Sequence, residues 1–285
     1  IVDEQGRILV PLAGQPAESK DWPDVIRQAN QQADEILREC DFAPGQQKSK
    51  RGTYPHLSMG FSFGGGRKEP TNLKPKTDNQ IGAFACLGRS VAFRRFAGFG
   101  SASYKLYGPR LFASCKETVQ GVRDEDPTLA PPFSNSVFPT ATFNFGPQVA
   151  TRLHRDHLNV PYGWCSVTAF GSYDYKRGGH LILWDLKLVV EFPPGATILL
   201  PSALLIHGNT PVQPGETRYS FTQYCAGALT RWHTYGCRTG RQLAREDPAL
   251  KAKLDAEVVE RAVDALAMFS KVEALEGDHG ICIEK

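Results

Sequence analysis

Between Val137 and Cys225 the sequence is broken into eight short runs rich in Val, Ile, Leu, Phe, Tyr and Thr: 137–145, 149–153, 164–173, 180–188, 189–192, 196–200, 204–207 and 218–225. Turn-forming stretches separate them at Gly146-Pro147, Gly178-Gly179, Pro193-Pro194-Gly195 and Gln213-Pro214-Gly215. β-Branched and aromatic side chains suit a pleated, half-buried surface, and glycine and proline supply the turns between strands. This many short strands in succession predicts an antiparallel double-sheet jelly roll. The expected class is α+β with a mainly β core: a double-stranded β-helix with flanking N- and C-terminal helices.

One segment inside this region carries chemistry. In Thr151-Arg152-Leu153-His154-Arg155-Asp156-His157-Leu158-Asn159, His154 and Asp156 stand two apart at the end of a strand-like run. Period-2 geometry places two such side chains on one face. An imidazole and a carboxylate there make two thirds of a facial 2-His-1-carboxylate set, which holds Fe(II) and leaves coordination positions open. His207, after the apolar run Leu204-Leu205-Ile206 and before a turn-rich segment, is the third ligand expected from a neighbouring strand. Arg218 and Ser220 are again two apart, a planar fork and a hydroxyl suited to a carboxylate. His-x-Asp, a distant His and then Arg-x-Ser is the order found in the iron- and 2-oxoglutarate-dependent dioxygenases. Zinc could occupy the same three ligands, but Arg-x-Ser would then have no purpose.

The 285 residues can bury one elaborated domain with helical flanks, and 41% apolar with 22% charged residues is ordinary for a globular protein. No apolar run is long enough to span a bilayer, so no membrane role is expected. A chain opening on Ile1 reads as a fragment, with targeting information outside it. The net charge of +3 is compatible with a polyanionic partner without requiring one. Seven cysteines with no Cys-x-x-Cys spacing fit a reducing compartment.

Ahead of the β region, residues 1–16 read as an extended lead-in. Apolar residues from Trp22 to Leu37 recur at helical spacing, with Ser19 or Asp21 as the cap. Residues 44–80 are rich in Gly, Pro, Lys and Asn and read as a long loop. It is either merely solvated, or a basic loop that meets phosphates through Lys48, Lys50, Arg51, Arg67 and Lys68. Gly64-Gly65-Gly66 lacks the Lys-Ser/Thr of a P-loop. Two helices are expected over 82–122, broken near Gly98-Phe99-Gly100 and Gly108-Pro109. Arg94 and Arg95 either reach the site or stay at the surface. After Trp232, residues 238–246 and 248–274 read as helical. Leu254, Val258, Val259, Ala262, Val263, Leu266 and Phe269 form an apolar stripe there, expected to lie on the sheet. The expected organisation is an N-terminal helical and basic-loop region (1–136), the dioxygenase core (137–236) and a C-terminal helical extension (237–285).

The sequence resembles the TET/JBP family of dioxygenases, in particular its basidiomycete fungal branch. Phe143-Asn144-Phe145-Gly146, His154 to Asn159, Tyr162 to Cys165, Gly178 to Leu186, Glu191 to Gly195, Leu200-Pro201-Ser202, His207 to Pro211 and Arg218 to Tyr224 carry the resemblance, which spans roughly 52–236. It implies a nuclear enzyme, acting as a monomer on double-stranded DNA with methylated bases. The family oxidises the methyl group of 5-methylcytosine, and some fungal members act on N6-methyladenine. By position, the resemblance makes His154, Asp156 and His207 the Fe(II) ligands. Arg218 and Ser220 would hold the distal carboxylate of 2-oxoglutarate, with His180 as a further co-substrate contact. Asn159 and Tyr224 would contact the flipped base, with Arg67 and Lys68 on the DNA. Animal members place a base-contacting histidine eight residues after the arginine; here that residue is Ala226, so either cytosine recognition differs in detail or the pocket admits another base.

Blander readings stand beside these. His180 also reads as a satisfied core histidine, Asn159 as a brace for the loop after the metal segment, and Tyr224 and Trp164 as core aromatics. His157 falls on the opposite face by parity. For the whole chain, the rivals are the same chemistry on a protein or small molecule, and a catalytically silent DNA-binding module.

Overall fold

The computed structural model describes the backbone of residues 1–283 and the side chains of 1–257 and 263–280. Its first half mixes strands and helices: β1 (Leu12–Gly14), α1 (Trp22–Glu39), α2 (Pro44–Gln47), β2 (His56–Ser62), β3 (Thr71–Asn72), α3 (Gln80–Arg89), α4 (Val91–Tyr107) and α5 (Pro109–Glu125). Seven strands follow: β4 (Thr140–Asn144), β5 (Cys165–Ser172), β6 (Leu181–Leu183), β7 (Leu188–Val190), β8 (Thr197–Leu200), β9 (His207–Asn209) and β10 (Thr217–Tyr224). The chain closes with α6 (Gly227–Thr234), α7 (Gly240–Glu246), α8 (Pro248–Ala256), α9 (Val258–Ala267) and α10 (Leu275–Ile283).

The strands form a seven-stranded sheet in the order β1-β8-β5-β10-β4-β2-β3 and a three-stranded sheet in the order β7-β6-β9, every pairing antiparallel. This is a double-stranded β-helix with flanking helices, as the strand pattern predicts. The large sheet is sorted by face. On β10, Tyr219 and Phe221 are fully buried among Phe93, Phe96, Phe143 and Phe170, beneath α1 and α4. Their alternates Arg218, Ser220, Thr222 and Tyr224 turn to the other face, level with Asn144 and Thr142 of β4 and with His56 and Ser58 of β2. One face therefore anchors the helices and the other builds a polar wall inside the roll. At one end of that interior, Leu181 and Leu183 of the small sheet pack with Ala169, Ile198 and Leu200 of the large one, and the roll closes there.

Several local expectations give way to tertiary context. Residues 44–80 are not one loop: β2 runs through them and pairs with β4 along five register positions. The helix at 91–107 passes unbroken through Gly98 and Gly100; a Cβ on Gly100 would meet Ser166 Oγ at 2.2 Å, so that glycine serves close helix–sheet approach rather than a break. Residues 82–122 accordingly lie in three helices, α3 to α5, with the Gly108-Pro109 break as expected. Asp21 takes the N-cap position of α1 as expected, but its side chain makes no capping bond; it and Ser19 hold the Arg95 guanidinium, which also lies over the Trp22 ring and away from the site. In the C-terminal stripe Phe269 is buried, but Val263 and Leu266 are exposed, and 258–262 lie outside the described side chains. No helix among the described residues is long and apolar enough to cross a membrane.

Candidate metal and co-substrate site

The segment 149–156 is not a strand. Its backbone is held by side chains and single bridges: Asn209 Oδ1 accepts from Thr151 N (2.9 Å) while Asn209 Nδ2 donates to Val149 O (3.0 Å). His154 and His207 form one isolated antiparallel bridge, N–H to carbonyl in both directions at 3.0 and 2.9 Å. The next residue, Gly208, lies so close to this segment that a Cβ would sit 2.7 Å from Thr151 O. Asp156 N donates to Ser202 O (2.9 Å), and Asn159 N closes a turn onto Asp156 O (2.9 Å). The expectation that His154 and Asp156 share a face holds, although a pinned loop rather than a strand delivers it.

The side chains converge. Ligand atoms of His154, Asp156 and His207 all lie within 4.8 Å of one another. His154 Nε2 is 3.5 Å from Asp156 Oδ1 and His207 Nε2 is 3.9 Å from Oδ2. Each imidazole turns its other nitrogen to a backbone carbonyl two residues upstream, His154 Nδ1 to Arg152 O (2.8 Å) and His207 Nδ1 to Leu205 O (2.9 Å). A carbonyl only accepts, so Nδ1 carries the proton and the Nε2 lone pair faces the centre, the orientation a metal ligand needs. Asp156 and His207 are buried. Burial pushes the Asp156 carboxyl up, but without a metal Arg51 and the two imidazoles, once protonated at acid pH, outweigh it through the His154 hydrogen bond and their charges and bring the pKa to about 2. Burial lowers His207 and favours its neutral, ligating form.

Beside this set lies Arg218, only 3% exposed. Its Nη1 donates to Val149 O (3.2 Å), and Nε has no hydrogen-bond partner among the described residues. The guanidinium lies 6.0 and 5.8 Å from the ring centres of Tyr173 and Phe192. Gly179, at positive φ, makes room: a Cβ there would stand 3.2 Å from Arg218 Cδ. Burial lowers the Arg218 pKa, and no carboxylate faces it among the described residues. A buried guanidinium without an anion is costly, which points to a ligand carboxylate as the missing partner. Ser220, buried on the same face, accepts from Asn144 Nδ2 (3.0 Å), which leaves its hydroxyl hydrogen for a further acceptor. Two histidines and a carboxylate in a facial set, next to a buried cation lacking its anion, fit Fe(II) and 2-oxoglutarate.

The remaining sequence-derived residues divide. Asn159 Nδ2 lies 3.4 Å from Asp156 Oδ2 and 3.1 Å from both Cys165 Sγ and Ser202 Oγ, so its amide braces the metal carboxylate. Tyr224 is on the polar wall, its hydroxyl 3.3 Å from Thr142 Oγ1. His180 is half-buried at the start of β6, with Nδ1 3.5 Å from Thr210 Oγ1. Arg67 and Lys68 are exposed on the loop after β2, which packs on α6 through Phe63 and Trp232. His157 is exposed.

Three functional neighbours escape sequence reasoning. Arg51 reaches back so that Nη2 lies 2.5 Å from Asp156 Oδ1. Asp185 Oδ2 accepts from Ile206 N (2.6 Å) and meets Arg155 at 3.2 Å, clasping the two ligand segments. Tyr54 Oη lies 3.1 Å from Thr151 Oγ1. No spacing rule connects these residues to the ligands; only the Arg51 cluster of basic residues gave a signal, and it pointed to phosphate.

No family model and no curated protein matches the sequence. Solved structures do match. The chain is similar to NgTET1 in complex with 5mC DNA, with a TM-score of 0.55 at 14% identity over 80% of this chain and 76% of that one. OsALKBH1 follows at 0.42 and 13% identity, covering 77% of this chain and 97% of that one. A Pseudomonas putida prolyl-4-hydroxylase gives 0.39 and 11%, covering 76% and 91%. At 14% identity the likeness to NgTET1 is one of fold: a jelly-roll core with flanking helices.

Proposed function

We infer that this chain is an Fe(II)- and 2-oxoglutarate-dependent dioxygenase that oxidises the methyl group of a modified base in double-stranded DNA. The observation that carries the oxygenase part is the buried His154–Asp156–His207 set beside an Arg218 that lacks an anion. His154, Asp156 and His207 would hold Fe(II). Bound there with 2-oxoglutarate, it supplies an oxidation in which one atom of O2 becomes the product hydroxyl and the other enters succinate, with release of CO2. Arg218 and Ser220 grip the distal carboxylate of the co-substrate and fix its distance from the ligands. Asn159, braced on Asp156, keeps the carboxylate aimed, and the aromatic walls of Tyr173 and Phe192 keep water from the guanidinium.

The nucleic-acid part rests on the sequence resemblance to the TET/JBP family and its fungal branch, and on the fold likeness to NgTET1. The exposed basic residues Lys48, Lys50, Arg51 and Arg152 around the ligand segments support it, because they suit phosphates. Asn159 and Tyr224 are proposed base contacts, Arg67 and Lys68 phosphate contacts, and His180 a co-substrate contact. A monomer working in the nucleus, and the division at 136 and 236, belong to the same proposal.

The test incubates the protein with Fe(II), 2-oxoglutarate and duplexes bearing 5-methylcytosine or N6-methyladenine, and reads digested nucleosides by mass spectrometry. Oxidised cytosine or demethylated adenine that vanishes with Asp156→Ala supports the reading and names the base. Succinate formation with both bases untouched would keep the oxygenase and overturn the DNA substrate.

A further inference from the structure

The most exposed large apolar residue near the metal set is Leu158, at 76%. It stands two residues after Asp156, on the turn closed by Asn159 N to Asp156 O. Its backbone is held: Leu158 O accepts from Gly227 N (2.8 Å) and Val160 N donates to Cys225 O (3.1 Å), tying both sides of the tip to the end of β10 and the start of α6. A rigid turn with its leucine in solvent contributes nothing to the core. Leu153 (43%) and Leu204 (42%) are exposed on the adjoining segments, the latter just beyond the Ser202 that receives Asp156 N.

Basic residues lie on the segments that flank this apolar tip. Arg152, Arg155 and His157 are exposed on its own segment. Lys48, Lys50 and Arg51 lie on the neighbouring hairpin, which is held to it by Arg152 N to Arg51 O (2.7 Å). The acids met there are Asp156, buried under Arg51, and Asp185, paired with Arg155. An apolar point on a segment flanked by exposed cationic residues, two residues from a recessed metal ligand, is complementary to a duplex whose phosphates meet the cations and whose base stack meets the point.

We propose that Leu158 is a wedge that enters the base stack and fills the gap left when the target base turns out into the site. This rests on the nucleic-acid reading above. Asp156 and His207 are 9% and 8% exposed, so a stacked base cannot reach them and must be extruded. Two residues of extended chain span at most about 7 Å. Leu158 lies two residues from the metal carboxylate on a turn at the protein surface, so it stands outside the site beside the path an extruded base takes into it.

The experiment compares wild type, Leu158→Ala and Leu158→Phe on a methylated duplex with 2-aminopurine beside the methylated base, and on the same strand unpaired. Leu158→Ala should lower kcat/KM on the duplex about tenfold and abolish the 2-aminopurine rise, with little change on the single strand, and Leu158→Phe should retain both. Equal duplex activity and fluorescence in Leu158→Ala, or equal losses on duplex and single strand, would overturn the wedge while leaving the substrate assignment standing. A wild type active on neither strand form overturns the substrate assignment itself, and the wedge with it.

Discussion

Arg51 Nη2 lies 2.5 Å from Asp156 Oδ1, so an arginine from the hairpin before β2 shares an oxygen of the carboxylate that completes the metal set. A guanidinium on that oxygen repels a divalent cation approaching the same carboxylate. Arg51 is about half exposed, and its pairing is screened to about 1 kcal/mol or less. Arg51→Ala should raise the affinity for Fe(II), or for Co(II) as a spectroscopic substitute, by up to about fivefold. Metal titration followed by absorbance checks this, and a fall in affinity would instead make Arg51 a support of the site.

Arg218 is buried and its Nε has no partner among the described residues, a charge carried at a cost unless an anion arrives. Arg218→Met should leave the melting temperature unchanged or raise it, and should abolish the stabilisation by 2-oxoglutarate seen in a thermal shift with Mn(II). Arg218→Lys should lose at least about tenfold in 2-oxoglutarate affinity, because an ammonium cannot replace the two-pronged grip. A melting temperature that falls steeply in Arg218→Met would show that Arg218 works as a structural residue.

Asp185 touches neither ligand side chain, yet one of its oxygens receives Ile206 N–H, next to His207, and it pairs with Arg155, between His154 and Asp156. Asp185→Ala should weaken metal binding about tenfold, the range for groups that orient ligands. Far-ultraviolet circular dichroism should be unchanged, because the residue is exposed.

The Asp156 carboxyl sits at about 2, against an ordinary 3.8. A depressed acid contributes stability that is present above its unfolded value and lost as pH falls through the folded one. With no metal added, stability should therefore drop between about pH 4 and pH 2 by an amount on the order of 2 kcal/mol. Asp156→Asn should flatten that part of a melting-temperature profile, and an unchanged slope would refute the assignment.

The sequence carries the jelly roll because alternation is a local signal: β4, β5 and β8 lie within expected runs, and β10 starts one residue before its own. It does not carry β2, whose inward positions are His56, Ser58 and Gly60 and whose neighbours are Gly, Lys and Pro. A strand with a polar inner face, set in turn-forming sequence, shows its nature only when β4 pairs with it. The run 149–153 errs the other way: strand-like in composition, it takes its hydrogen bonds from the Asn209 side chain and single bridges instead of a ladder. Ligand types and their order were readable because metal chemistry restricts them. The partners Arg51 and Asp185 were not, since a folded contact leaves no trace in spacing.

Both ligating imidazoles are oriented by the carbonyl two residues upstream of each, at Arg152 and Leu205. The aim of the two rings is thus written in main-chain geometry and is indifferent to which side chains stand at 152 and 205. Drift at those two positions would leave the donors pointing inward. A single inserted or deleted residue between carbonyl and imidazole would turn them away, so the site tolerates substitution there far better than a change of length.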